Sequence, residues 1–180
     1  MPRGGGRVVG ICGGYQILGQ EVRDPLGMEG APRTEAGLGL LPVVTTMAGA
    51  KTTTQVEARV PDRPAYGMLL AYEIHMGVTE PREEGRPAFE IISRNGRPLK
   101  VADGWVSPDH GVWGTYLHGV YDNDGFRRGF LQELRRTRPD VAATSPATSY
   151  QSFQEAQLDR LADLLRRHLD MAQINAMIRA

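Results

Sequence analysis

The sequence predicts an α/β domain. Three observations carry that reading. A short apolar run at residues 7–11 breaks at glycines into a helical segment, the middle of the chain alternates apolar and polar residues, and the C-terminal end repeats apolar residues with helical spacing. With 180 residues, 41% of them hydrophobic, the chain is long enough for one substantial core.

The elements follow in order. Arg7-Val8-Val9-Gly10-Ile11 reads as a buried strand. Tyr15-Gln16-Ile17-Leu18 follows Gly13-Gly14 and reads as a helix ending near Gly19. Residues 20–36 hold Asp24-Pro25, Gly27, Gly30 and Pro32, a loop by composition. Residues 40–46 are apolar and β-branched, and Thr52, Thr54, Val56, Ala58 and Val60 alternate with polar neighbours as in a half-exposed strand. Residues 68–76 and 89–93 are further strands. Asn95-Gly96 and Asp103-Gly104 are turn dipeptides that bracket a strand at 99–102. Residues 112–117 make one more strand, ending at His118.

The end is helical. Phe126, Phe130, Leu131 and Leu134 share one helical face. Residues 137–149 carry Pro139 and Pro146 among Ser and Thr, as a linker or surface loop does. Leu158, Leu161, Ala162, Leu165 and Leu169 form the apolar stripe of an amphipathic helix, expected to pack on the domain. The expected division is therefore a main domain at 1–136, then a linker and C-terminal amphipathic helix at 137–180.

Lys+Arg and Asp+Glu both number 21, so no basic surplus draws the chain to nucleic acid or anionic lipid. No apolar run approaches membrane-spanning length, and the N-terminus lacks the apolar core of a signal peptide. A cytoplasmic location is the expectation, with neither nucleic acid nor membrane as partner. The single cysteine, Cys12, excludes an internal disulfide. A lone cysteine is either a small buried hydrophobe or a nucleophile.

Its surroundings favour the nucleophile. Gly10-Ile11-Cys12-Gly13-Gly14 has the spacing G-x-C-x-G between a strand and a helix, the thiol version of the G-x-S-x-G elbow. Such a turn strains the backbone and calls for small neighbours on both sides. A free thiol titrates near ~8.5, and the N-terminus of the following helix favours its ionised form. The Gly13 N–H points toward the same space, placed to donate to the oxyanion of a tetrahedral intermediate.

A thiol nucleophile needs a base that also protonates the leaving group. His168 sits among arginines in the C-terminal helix and His110 follows Ser107-Pro108-Asp109 in a turn; both are expected to be exposed. His75 and His118 each end a strand, where α/β sheets assemble their sites, and position alone leaves them rivals.

The motifs resemble those of a known family. Gly10-Ile11-Cys12-Gly13-Gly14-Tyr15-Gln16 resembles the nucleophile motif of class I glutamine amidotransferases. Gly114-Thr115-Tyr116-Leu117-His118-Gly119 resembles their histidine motif in the branch of cobyric acid synthases and cobyrinic acid diamide synthases. Tyr72-Glu73-Ile74-His75-Met76-Gly77, Gly37-Leu38-Gly39-Leu40-Leu41 and Leu158-Asp159-Arg160-Leu161-Ala162 are similar to segments of the cobyric acid synthases. The resemblance covers nearly the whole chain. It implies a flavodoxin-like fold with a central, mostly parallel sheet. It implies Cys12 as nucleophile, His118 as general acid/base, and Gln16 with Gly13 holding the substrate glutamine. It implies no cofactor or metal in this domain. The ammonia released would serve an ATP- and magnesium-dependent synthetase domain that amidates corrinoid carboxylates in cobalamin biosynthesis.

Two departures bear on this. Many class I amidotransferases carry Glu two residues after the histidine; here Val120 stands there, as in the corrinoid branch. That leaves the orienter of His118 open, with structural hydrogen bonding the expected role of Glu73. The family's upstream strands and ATP domain are expected ahead of the cysteine, yet only eleven residues precede it and no G-x-x-x-x-G-K-[ST] loop occurs. The chain is thus expected to be a domain lacking its N-terminal strands. An amidotransferase acting on a cell-wall precursor and a truncated, non-catalytic domain are the alternatives.

Overall fold

A computed structural model describes residues 6–137 and 149–179. The chain divides into two units, residues 1–142 and 143–180. The first unit contains strands β1 (Val8–Ile11), β2 (Glu21–Asp24), β3 (Arg33–Ala36), β4 (Val43–Arg59), β5 (Leu69–Pro81), β6 (Phe89–Arg94), β7 (Arg97–Asp103), β8 (Trp105–Val106), β9 (Val112–Thr115) and β10 (Leu117–His118). Helix α1 (Gly13–Leu18) follows β1, and α2 (Asp124–Thr137) follows β10. The second unit holds α3 (Tyr150–His168) and α4 (Met171–Arg179).

The strands form two sheets. One has the order β1-β9-β8, with β1 and β9 parallel and β8 antiparallel to β9. The other runs β10-β5-β4-β2-β3, with β6 also on β4 and β7 on β6. The α/β class holds, but the expected predominance of parallel pairing does not. Among the described residues, only β1–β9 and β2–β4 run parallel; β10–β5, β5–β4, β2–β3, β4–β6, β6–β7 and β8–β9 are antiparallel. The reason is connection length: a parallel neighbour needs a long crossover, whereas much of this chain doubles back through short turns. Asn95-Gly96 is such a turn. Both residues have positive φ, 48° and 75°, the signature of the two-residue turn that joins twisted strands, and Arg94 pairs with Arg97 across it.

Three local expectations change. Residues 20–36 contain the hairpin β2–β3, with loop chemistry confined to residues 25–32. Asp24 ends β2 and its carboxylate accepts from the N–H groups of Met28 and Glu29, both at 2.8 Å. All four residues of β3 are exposed, and the one buried residue of β2 is Asp24, so no hydrophobic period marks these short strands in sequence. The two strands read at 40–46 and 52–60 are one long strand, β4. Conversely, the strand read at 112–118 is two strands in different sheets.

That switch has a definite cause. After Thr115 the chain leaves the β1-β9-β8 sheet and enters the other at Leu117. The freed backbone groups find side-chain partners: Tyr116 N–H donates to Asp103 at 3.2 Å, and Leu117 N–H donates to Thr115 Oγ1 at 2.9 Å. Thr115 Oγ1 in turn donates to Asp103. A carboxylate at the end of β7 thereby holds the crossing point of the two sheets. Burial pushes the Asp103 carboxyl up to about 6, against the lowering contacts of Thr115 and Tyr116.

The main core lies between β4–β6 and α2. Val56, Ala58, Leu69, Phe89, Ile91, Leu117 and Val120 meet Trp113, Phe126 and Phe130 there. Phe126 and Phe130 are the buried face of α2, as its spacing predicts, while Leu131 stays exposed. A second cluster, with Tyr15, Leu18, Leu41, Val43, Trp105, Val112 and Tyr116, seats α1. His110, expected in an exposed turn, is half-buried with φ 56°.

In the second unit, Ser149 caps α3, its Oγ accepting from Ser152 N–H at 3.4 Å. Leu158, Leu161 and Leu165 are exposed along α3. The helical pattern breaks at Leu169-Asp170 before α4 resumes. The expected linker at 137–149 lies outside the described residues except at its two ends. Among the described residues no helix is long and apolar enough to cross a membrane.

Two stability tests follow from these contacts. A Cβ on Gly10 would lie 2.6 Å from the Gly14 carbonyl oxygen, whereas one on Gly14 meets open space. Denaturant unfolding should therefore show Gly10→Ala destabilised by about 1–3 kcal/mol, with Gly14→Ala neutral or stabilised by up to about 1 kcal/mol. The second test concerns Asp103. Its raised pKa means the fold favours the protonated acid, so its contribution is full below the unfolded value of about 4 and lost as pH rises through about 6. Asp103→Asn removes that loss. Relative to the parent, the variant should gain on the order of 2–3 kcal/mol between about pH 4 and about pH 7, read from urea unfolding at each pH.

Candidate active site

The site begins at the turn from β1 into α1. Cys12 occupies it with φ 56° and ψ −117°, a backbone conformation that side-chain-bearing residues rarely adopt. Neighbouring contacts hold it there. Cys12 N–H donates to Thr115 O on β9 at 2.9 Å, and Gln16 N–H donates to Cys12 O at 3.1 Å, closing the first turn of α1. The helix can lie this close because β1 and β9 present glycines to it. Gly10 pairs with Gly114, and a Cβ on Gly114 would stand 2.1 Å from the Tyr15 ring. The expected need for small residues on both sides of the cysteine therefore holds for Gly10 and not for Gly14.

The thiol is partly buried and sits against β5, its Sγ donating to Ile74 O at 3.5 Å. Gly13 and Gly14 are exposed at the start of α1, where the first helical N–H groups have no intrahelical acceptor. Gln16 reaches inward. Its Nε2 donates to Tyr116 Oη at 3.2 Å, and that hydroxyl lies 2.6 Å from Thr79 Oγ1. Gly13 and Gln16, which follow Cys12 in sequence, line a cleft of about 370 Å³ together with Arg33, Glu35 and Met47.

His118 enters from β10. It pairs with Tyr72 of β5, and the two rings stack with centroids 5.0 Å apart and planes 11° apart. Its Nε2 is buried and makes no hydrogen bond. Burial lowers its pKa below the ordinary imidazole range, and the nearby His75 adds to the lowering.

His75 is held differently. Its Nδ1 lies 2.8 Å from Gly77 O, and a carbonyl only accepts, so this nitrogen carries the proton. Its ring stacks on Tyr116 at 3.9 Å. The other nitrogen, Nε2, is 3.8 Å from Glu73 Oε1, longer than a hydrogen bond. Glu73 is itself satisfied: it accepts from Thr54 Oγ1 at 2.8 Å and from Arg94 at 2.7 and 2.9 Å. Burial would raise its pKa, but contacts from His75, Arg94 and Thr54 outweigh that and hold it at about 2. Along a strand, successive side chains face opposite ways, so Glu73 lies on the other face of β5 from Tyr72 and its His118 partner.

Cys12 and His118 thus meet the same stretch of β5, one through Ile74 and the other through Tyr72. His75 stacks on Tyr116, whose hydroxyl accepts from Gln16 of α1. Of the other two histidines, His168 lies in α3 of the second unit and His110 follows β8. Sequence reasoning did not find Tyr116, Thr79 or Asp103. Tyr116 falls inside a motif that reads as plain strand, and Asp103 looks like half of a turn dipeptide although its carboxyl is buried.

Comparison with known proteins identifies the family. The model of the CobB/CobQ-like glutamine amidotransferase domain matches residues 1–126. Cobyric acid synthase of Syntrophobacter fumaroxidans is 44% identical over 98% of this chain and 35% of its own length. That of Cereibacter sphaeroides is 46% identical over 98% of the chain and 34% of its length. That of Clostridium botulinum is 39% identical over 96% and 35%. The chain therefore spans about a third of the length of these curated relatives. On the match to residues 1–126, the chain belongs to the family of CobB/CobQ-like glutamine amidotransferase domains.

Proposed function

We propose that this chain carries the glutaminase reaction of a cobyric acid synthase, with Cys12 as nucleophile and His118 as general acid/base. The observation that carries the reading is the thiol on a strained strand-to-helix turn, sharing residues 72–74 of β5 with an imidazole whose buried Nε2 makes no hydrogen bond.

The chemistry follows from those groups. His118 takes the thiol proton, and Sγ attacks the side-chain amide carbon of glutamine. The carbonyl oxygen of the resulting tetrahedral adduct bears negative charge, and the Gly13 N–H at the start of α1 donates to it. His118 then returns its proton to the amide nitrogen. The C–N bond breaks, ammonia leaves, and a glutamyl thioester remains on Cys12. Water, deprotonated by His118, adds to the thioester and releases glutamate and the thiol. Gln16, one helical turn past Cys12, and the cleft it shares with Gly13 hold the substrate. No cofactor or metal enters these steps. The ammonia is the nitrogen source for amidating corrinoid carboxylates, a reaction that draws on ATP and magnesium in a synthetase domain. The names of the relatives and the corrinoid-branch form of the His118 motif support that assignment.

Three measurements test the reading. A chloroketone analogue of glutamine should add one adduct to the folded chain by intact mass, and Cys12→Ala should lose it. A folded, unlabelled parent would defeat the proposal. His118→Ala should slow thioester formation by about 10²–10⁴-fold, the usual worth of a positioned acid/base.

The third measurement is a pH profile. His118 is kept below the ordinary imidazole value by burial first and by His75 second. A base with a lowered pKa stays neutral to lower pH, so the acid limb of glutaminase kcat/KM should fall below about 6.5. An acid limb above that value would contradict a desolvated His118.

A further inference from the structure

The reading above leaves open what holds the imidazole of His118 in its plane. Where a third acid is present, its carboxylate grips the imidazole nitrogen opposite the reacting one. Among the described residues no acid is hydrogen-bonded to His118. Val120, two residues on, is fully buried in the core. Glu73 faces the other side of β5 and is saturated by Arg94 and Thr54. His75 is committed through Nδ1 to Gly77 and through its ring to Tyr116.

What does touch His118 is an aromatic ring. Tyr72 is its cross-strand partner in the register and stacks on it nearly parallel. The strand that delivers His118 is only two residues long and has little pairing of its own. Asn123 supplies the rest. Leu70 N–H donates to its Oδ1 at 2.8 Å, and its Nδ2 donates to Leu70 O and Gly119 O, both at 3.0 Å. Leu70 lies two residues before Tyr72, so the amide of Asn123 extends the β10–β5 ladder past His118. The backbone is thereby pinned on the far side of the histidine, and only the ring angle remains to be set.

We propose that Tyr72 is the positioning residue of His118: its ring, stacked on the imidazole, fixes the plane in which Nε2 meets the thiol. A flat hydrocarbon face restricts rotation and excludes water from one side without adding charge. An acid partner would do the opposite to the base, stabilising the imidazolium. This inference rests on the proposed role of His118.

The test compares Tyr72→Phe, Tyr72→Ala and Asp122→Asn in the full chain, each checked for cooperative unfolding. Asp122 is included because its carboxylate lies beside Gly119. Proton NMR follows the titration of the His118 ring, and a glutaminase assay separates kcat from KM. In Tyr72→Ala the His118 midpoint should rise toward the ordinary imidazole value as its ring meets water, and kcat should fall about 10–100-fold with KM nearly unchanged. Tyr72→Phe, which keeps the stack, should retain both parent values, and Asp122→Asn should leave the midpoint in place. A midpoint unmoved in Tyr72→Ala overturns the proposal, whatever the activity. So does a Tyr72→Phe variant as impaired as Tyr72→Ala, or loss of kcat in Asp122→Asn matching that of Tyr72→Ala. Cys12→Ala serves as the separate control: if it keeps full glutaminase activity, the functional reading fails by itself, independent of Tyr72.

Discussion

The arrangement depends on how closely α1 lies against β1 and β9. Strand and helix meet at a single residue, and the turn between them is sharp only because Gly10 and Gly114 leave space where any side chain would strike Gly14 or Tyr15. Tyr15 fills that space and meets Tyr116 edge-on at 5.4 Å. Cys12 is left with a positive φ that its neighbours over-determine, through Thr115 on one side and Gln16 on the other. If the helix lifted away, the thiol would lose both its direction and its contact with β5.

The second constraint is the passage between sheets at residues 115–117. β9 belongs with β1, and β10 belongs with β5, so one short segment carries the chain from the elbow's sheet to the histidine's. The backbone there cannot satisfy itself, and the buried Asp103 does so instead. Two buried carboxyls therefore have opposite characters. Glu73, ringed by Arg94 and Thr54, is held strongly acidic, while Asp103 lacks a cation in contact and is pushed up by desolvation. Both are structural. One ties β5 to β4 and β6, and the other ties β7 to the crossing.

With Glu73 and Asp103 so engaged, the group stacked against His118 is an aromatic ring. Tyr72 stacks on it, and His75 stacks on Tyr116 close by. Desolvation lowers the pKa of the imidazole, which favours its neutral form. Gln16 links the cysteine's helix to Tyr116, and the hydrogen bonds run on from there to Thr79 and Thr45.

Much of this was legible in the residues. The spacing of Gly10, Cys12 and Gly14 between an apolar run and a helical segment marks the elbow, because the turn is local and its steric demands fall on neighbours in sequence. The Asn95-Gly96 turn and the face of α2 were readable for the same reason: each is decided within a few residues. The motif around His118 singled it out only through resemblance, since position alone left His75 its equal. What tertiary structure decided was everything that depends on non-local partners. The hairpin β2–β3 buries too little to imprint a period, and the mixed sheet order follows from pairings far apart in sequence. Whether Asp103 is a turn residue or a buried acid, and whether Glu73 or Tyr72 faces His118, depends on register, and a one-residue slip would exchange the two faces of β5.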